Sequence, residues 1–146
     1  MTTKYTDDFK QPLNDRPRGI PLTDSNGTVL TFDSDAPGFY EQTTSGAETV
    51  YFYIDALADM YYVITDINVT ANASETLAVA LQVYVLGAWK EKYAYTMSLT
   101  GTQALGGMNT AYPLIEDMPP GTKCRLAVTT GGTATVAVNV MGRYKA

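Results

Sequence analysis

The stretch Arg125–Lys145, RLAVTTGGTATVAVNVMGRYK, decides the fold class. Ala134, Val136, Val138 and Val140 fall on every second position, with Thr133, Thr135 and Asn139 on the alternate ones. A period of two places the apolar side chains on one face of a β-strand and the polar ones on the other. Leu126 and Val128 alternate in the same way with Cys124 just upstream. The Gly131-Gly132 pair between these runs predicts a hairpin turn, because glycine reaches positive φ without steric cost. Almost nothing in the stretch is reactive, so it reads as scaffold. Arg125, Arg143 and Lys145 would gather at the open end of that hairpin, where they are candidate partner contacts.

The same pattern extends through the chain. TVLTF, ETVYFYIDA, MYYVITDINVTA, TLAVALQVYVLG, WKEKYAYTMSL, TAYPLIED and TKCRLAVTT read as further strands. Leu77, Val79, Leu81, Val83 and Val85 share one face, and Trp89, Glu91, Tyr93 and Tyr95 are expected to share another. Breakers separate the runs, including Gly87, Pro119-Pro120-Gly121 and Gly131-Gly132. Only DALADMYY could form a short helical turn. About eight strands in one 146-residue chain predict an all-β, antiparallel β-sandwich, with a jelly roll preferred over an immunoglobulin-like arrangement.

Residues 1–28 differ. Pro12, Pro17 and Pro21, mixed charge and few apolar residues predict an extended N-terminal arm ahead of a sandwich domain over 29–146. Such an arm cannot offset its own ordering entropy, so it would lie along its own domain or a neighbour. Phe9, Leu13, Ile20 and Leu22 are its spaced apolar anchors, with Arg16 and Arg18 as basic contacts.

Composition excludes many chemistries. There is no histidine and one cysteine, which removes the usual hydrolytic triad, histidine zinc sites and any intrachain disulfide. Cys124 reads as a buried structural thiol. No phosphate-cradling glycine motif occurs. Carboxylates remain, among them Asp33, Asp35, Glu41, Glu48, Asp55, Asp59, Asp66, Glu75, Glu116 and Asp117, but no spacing selects a glycosidase pair. Asp33–Asp35 and TDSNGT at Thr23–Thr28 lack a full calcium ligand series, and Asx-turn chemistry explains them. Neither a cofactor nor a metal is expected, and an enzyme is not. A net charge of −5 argues against nucleic acid as a partner. The longest apolar run is too short to span a bilayer, so no membrane partner is expected, and the N-terminus has no signal-peptide core.

Two features point to binding. Eleven tyrosines and one tryptophan occur, with Tyr51, Tyr53, Tyr61, Tyr62, Tyr84, Tyr93 and Tyr95 in expected strands. Such rings suit strand packing, a partner interface or stacking on sugars. Charge is also segregated. From Gly19 to Trp89 there are nine acids and no Lys or Arg, whereas Lys90 to Ala146 holds six bases and three acids. That polarity fits a head-to-tail contact between copies, with a trimer expected.

A histidine-free, acidic, Thr/Ala/Gly/Val-rich sandwich with a proline-bearing arm resembles the decoration, or cement, proteins of tailed bacteriophages. The arm FKQPLNDRPRGIPL and the strands TLAVALQVYVLG and TGGTATVAVNVMGRYK carry the resemblance. It implies a jelly-roll protomer, usually trimeric, made in the host cytoplasm and docked on the outer capsid surface, where it clamps the major capsid protein. The leading expectation is therefore a non-enzymatic virion structural protein. The alternative is a receptor- or carbohydrate-binding sandwich module of a phage tail or fibre, with Trp89 and the tyrosines as glycan contacts.

Overall fold

Alternating apolar residues can be buried only if a second sheet covers them, and two sheets do so here. The computed structural model describes residues 18–31, 38–55, 61–72, 75–99, 103–106 and 116–145. Among the described residues ten strands run in chain order: β1 (Arg18–Gly19), β2 (Tyr40–Thr43), β3 (Thr49–Asp55), β4 (Tyr61–Ala71), β5 (Glu75–Val85), β6 (Ala88–Leu99), β7 (Gln103–Gly106), β8 (Glu116–Met118), β9 (Lys123–Thr130) and β10 (Thr135–Lys145). The first sheet, A, has β10 and β4 at its centre. β1 and β2 pair with successive stretches of β10, while β7 and β8 pair with successive stretches of β4. The second sheet, B, has the order β3-β9-β5-β6. All pairings are antiparallel.

Consecutive long strands keep changing sheet: β2 to β3, β3 to β4, β4 to β5, β8 to β9 and β9 to β10. The orders β2-β10-β4-β8 and β3-β9-β5-β6 are those of a jelly roll. The expected sandwich of about eight strands is therefore present, with β1/β2 and β7/β8 each sharing one strand position.

This topology corrects the reading of Arg125–Lys145. The two runs are not a hairpin. β9 lies in sheet B between β3 and β5, and β10 lies in sheet A between β2 and β4. Residues 131–134 carry the chain across the core from one sheet to the other. Thr44 and Thr130 knot this crossing: Thr130 Oγ1 donates to Thr44 Oγ1 at 3.2 Å, and the Ala134 amide donates to Thr44 Oγ1 at 3.0 Å. These hydroxyls satisfy backbone groups that a ladder would otherwise pair. The tight hairpin lies elsewhere, at Leu86–Gly87 between β5 and β6, with φ of 53° and 79°. Arg125 and Arg143 consequently sit in opposite sheets.

The core forms where the alternation converges: Phe52 and Ile54 from β3, Ile67 and Val69 from β4, Leu77, Val79 and Leu81 from β5, Leu126 and Val128 from β9, and Val136, Val138 and Val140 from β10. Burying each such side chain contributes about 1.5–3 kcal/mol. Cys124 is fully buried within it, as expected for a structural thiol.

Residues 18–30 belong to this body. Arg18 and Gly19 pair with Gly142 and Met141, and Thr23 then bridges to Tyr53 on the edge of sheet B. The chain thus closes one side of the sandwich from sheet A to sheet B, with Ile20 and Leu22 filling the seam at 2% and 0% exposure. Ile20 is corrected from a partner anchor to a core residue of its own chain, because the seam between β10 and β3 is the nearest apolar surface. Val29 of the expected strand TVLTF makes only a bridge to Thr23 across the Asp24–Thr28 turn. That turn is an Asx motif, with the Asn26 and Thr28 amides donating to Asp24 Oδ1 at 2.8 and 3.0 Å. Phe9, Leu13 and Arg16, like most of DALADMYY and of TAYPLIED, lie outside the described residues.

Gly142 is dictated by close packing. β10 shifts register between Met141 and Gly142, and a Cβ on Gly142 would stand 2.6 Å from the Val63 carbonyl oxygen and 2.7 Å from Ile20 Cδ1. No L side chain fits there without moving β4 or the seam.

Candidate functional site: the open face of sheet B

Each strand of sheet B that buries one face shows the other to solvent. On β3, Phe52 and Ile54 face the core, so Thr49, Tyr51 and Tyr53 face outward. On β9, Lys123, Arg125, Ala127 and Thr129 do the same, opposite Cys124, Leu126 and Val128. On β5 the outward residues are Ala78, Ala80, Gln82 and Tyr84. β6 would continue with Trp89 and every second residue after it, but a bulge intervenes. The register passes from Gln82↔Glu91 to Leu81↔Tyr93, which leaves Lys92 as the extra residue. Trp89 and Glu91 therefore share the outer face with Ala94 and Thr96, and the simple alternation from Trp89 breaks at Lys92.

The result is a trough of about 410 Å³ lined by Thr49, Tyr51, Gln82, Glu91, Thr96 and Thr129, with Ala78, Ala80, Ala94 and Ala127 along its floor. Alanine is a poor strand former, and here its small side chain lowers the floor between larger flanking residues.

Against two of the trough's lining residues, Tyr51 and Gln82, an arginine packs among rings. The Arg125 guanidinium carbon lies 3.9 Å from the Tyr51 ring centroid, 4.2 Å from that of Trp89 and 5.6 Å from that of Tyr53. Its Nε donates to Gln82 Oε1 at 2.7 Å and its Nη1 donates to the Tyr53 hydroxyl at 2.9 Å. Trp89 in turn meets Tyr53 and Tyr84 edge-on at 5.8 and 5.2 Å. Edge-to-face pairs and cation–π contacts of this kind contribute about 0.5–1.5 kcal/mol each at partly exposed sites. Beside these rings lies a second hollow of about 250 Å³, lined by Thr23, Asp24, Tyr53, Trp89 and Lys123 among others. Over the six residue steps from Lys123 to Thr129, the face is about 20 Å long.

Arg125 is the expected contact residue that this face includes. Arg143 lies on sheet A, Ile20 is buried, and the side chains of Arg18 and Lys145 lie outside the described residues. Of the expected aromatics, Tyr51, Tyr53, Tyr84 and Trp89 meet on this face, whereas Tyr62 is buried and donates its hydroxyl to the Ile54 carbonyl at 3.3 Å. Sequence reasoning alone does not single out Gln82 and Glu91 as contacts. A signal exists nonetheless: each flanks an aromatic of one hairpin, Gln82 two residues before Tyr84 and Glu91 two after Trp89.

A second exposed feature adjoins the rings. At the tip of the β5–β6 hairpin Leu86 is 98% exposed, with Tyr84 and Val85 at 45% and 44%. Leu86 also holds the left-handed conformation, which costs a non-glycine residue about 1–2 kcal/mol. Among the described residues, no helix is long and apolar enough to cross a membrane.

No protein-family model matches the chain, and a search of curated proteins found no match. Solved structures share its outline. A CBM4 structure is 13% identical over 77% of this chain and 87% of its own, with a TM-score of 0.44. The N-terminal cellulose-binding domain of β-1,4-glucanase C from Cellulomonas fimi is 13% identical over 92% and 93%, with a TM-score of 0.45. A chain of infectious bursal disease virus, Gx strain, is 14% identical over 90% of this chain, with a TM-score of 0.37, and this chain spans 38% of its length.

Proposed function

We propose that this protein is a non-enzymatic recognition subunit that binds a carbohydrate along the open face of sheet B. The observation that carries the reading is the Tyr51–Arg125–Trp89 stack beside an alanine-floored trough edged with threonine hydroxyls, Gln82 and Glu91. Sugars offer apolar C–H faces and a ring of hydroxyls. Aromatic edges and faces meet the first, and amide, carboxylate and hydroxyl groups meet the second. Glu91 is the carboxylate among the residues lining the trough, and a glycosidase uses two flanking one bond. Trp89 is the chain's single tryptophan, so its fluorescence reports on the site alone. A glycan array followed by fluorescence titration of the best hits tests the reading. Saturable quenching or a blue shift that disappears in Tyr51→Ala supports it, and a blank array overturns it.

A second reading has its own observation, the fully exposed and strained Leu86. In it the protein is a capsid decoration subunit of a virion, a homotrimer whose hairpin tip seats Leu86 in an apolar hollow of the major capsid protein, helped by the arm. Hot-spot contacts of this kind are few, central and apolar. Co-sedimentation with undecorated capsids is the test. Leu86→Asp, and separately removal of residues 1–17, should each weaken attachment. Cutting as far as residue 22 would take Ile20 and Leu22 out of the core and confound the result. The two readings are compatible, since the tip and the trough occupy different regions of the surface.

A further inference from the structure

We infer that the recognised carbohydrate carries a carboxylate and that Arg125 receives it; this rests on the carbohydrate reading above. Arginine stays protonated at any accessible pH, and its guanidinium matches a carboxylate in shape. Arg125 is partly buried, so it has lost some of its hydration. Among the described side chains no carboxylate pairs with it; its contacts are the three rings, Gln82 and Tyr53. Those two hydrogen bonds use Nε–H and one Nη1–H. Three of the five N–H donors of a guanidinium remain, two of them on Nη2.

The side chain is also held still. Rings lie on either side of the guanidinium at 3.9 and 4.2 Å, so the rotamer entropy that an arginine normally loses on binding is already lost. A partly desolvated cation with no described carboxylate partner, set beside a polar trough against its lining residues Tyr51 and Gln82, is suited to receive an anion. Lys123, over the Tyr84 ring at 5.6 Å, adds a second cation. Glu91, on the trough itself, limits how much negative charge the ligand can bring. The fitting ligand is a sparsely acidic glycan, one uronate or sialate among neutral residues, and not a dense polyanion. Carboxylate is favoured over sulfate by the planar, two-pronged match to the guanidinium edge.

The experiment uses the full chain and Trp89 fluorescence, with calorimetry as a second readout. The probes are sialyllactose and hyaluronan oligosaccharides, the same molecules with their carboxyl groups reduced to alcohols, cello-oligosaccharides, sulfated lactose and oligogalacturonate. The spaced carboxylates should bind at least about tenfold tighter than their reduced forms, the size of one charge-assisted hydrogen-bonded contact. Arg125→Gln should abolish that ratio, and Arg125→Lys should keep some of it. If reduced or neutral sugars bind as tightly as the acids, the inference fails and the carbohydrate reading stands. Tighter binding of sulfated lactose or oligogalacturonate than of the spaced carboxylates also overturns it. If no probe perturbs Trp89 or releases heat, both fall. The reduced sugars are tested on the unaltered protein, so a misfolded Arg125 variant does not remove the test.

Discussion

Phe52 and Tyr53 are neighbours in the chain and belong to opposite faces of sheet B. Phe52 is fully buried in the core with Ile54, Leu126 and Leu81, while Tyr53 is partly buried and its hydroxyl oxygen accepts a hydrogen bond from Arg125 Nη1. Both are large aromatics on one strand. The inner one works by leaving water, so its contribution scales with buried area and depends little on orientation. The outer one holds a geometry with Arg125 and Trp89, through contacts that depend on orientation. Core burial and the proposed recognition are thus separated by a single residue step.

The largest expected break in that separation is Phe52→Ala. It removes a fully buried ring and should cost about 3–5 kcal/mol, a large share of a domain's stability, as read from the urea midpoint. Next is Gly142→Ala, where the new Cβ meets the Val63 carbonyl and Ile20 at under 3 Å; a loss of about 1–3 kcal/mol is expected from overpacking. Tyr51→Ala differs from Phe52→Ala in striking recognition directly. The proposed carbohydrate binding should fall about tenfold or more, while stability read from the urea midpoint should fall by about 1–2 kcal/mol, the size of the lost Tyr53 and Arg125 contacts and less than for Phe52→Ala. Equal damage to folding from Tyr51→Ala and Phe52→Ala would erase the distinction between the faces. The smallest effect belongs to the hairpin tip, where neither face is at stake. Leu86→Asn should raise stability by about 1 kcal/mol, or about 2–4 °C in Tm, because asparagine tolerates positive φ and exposes no apolar surface. An unchanged or lower Tm would mean that Leu86 is not strained.

The turns show how far local reading reaches. Gly131-Gly132 and Leu86-Gly87 are both dipeptides between apolar runs, and the first looks the better hairpin. Only the second is one. At residues 131–134 the hydroxyls of Thr44 and Thr130, distant in sequence, hold a crossing between sheets. At Leu86 the pairing of β5 with β6 imposes a conformation that leucine disfavours. In both places tertiary contacts override turn propensity. The β6 bulge has the same character: Lys90 and Lys92 look like one polar face until an extra residue resets the alternation that Trp89 began.

Period-two burial is a local property, so the all-β class, the long strands β3 to β6, β9 and β10, and the inward valines of β10 were legible from the chain alone, whereas the short strands β1, β2 and β7 were not. So were the Asx turn at Asp24 and the buried Cys124. Which sheet each strand joins was not, because every amphipathic strand offers the same apolar face to any partner and only the assembled core discriminates among them. For the same reason Arg125, read as one of three cations at a hairpin's end, became the centre of an aromatic cluster. Tyr51, Trp89, Gln82 and Tyr53 come from three different strands, and only the register of sheet B brings them to one guanidinium.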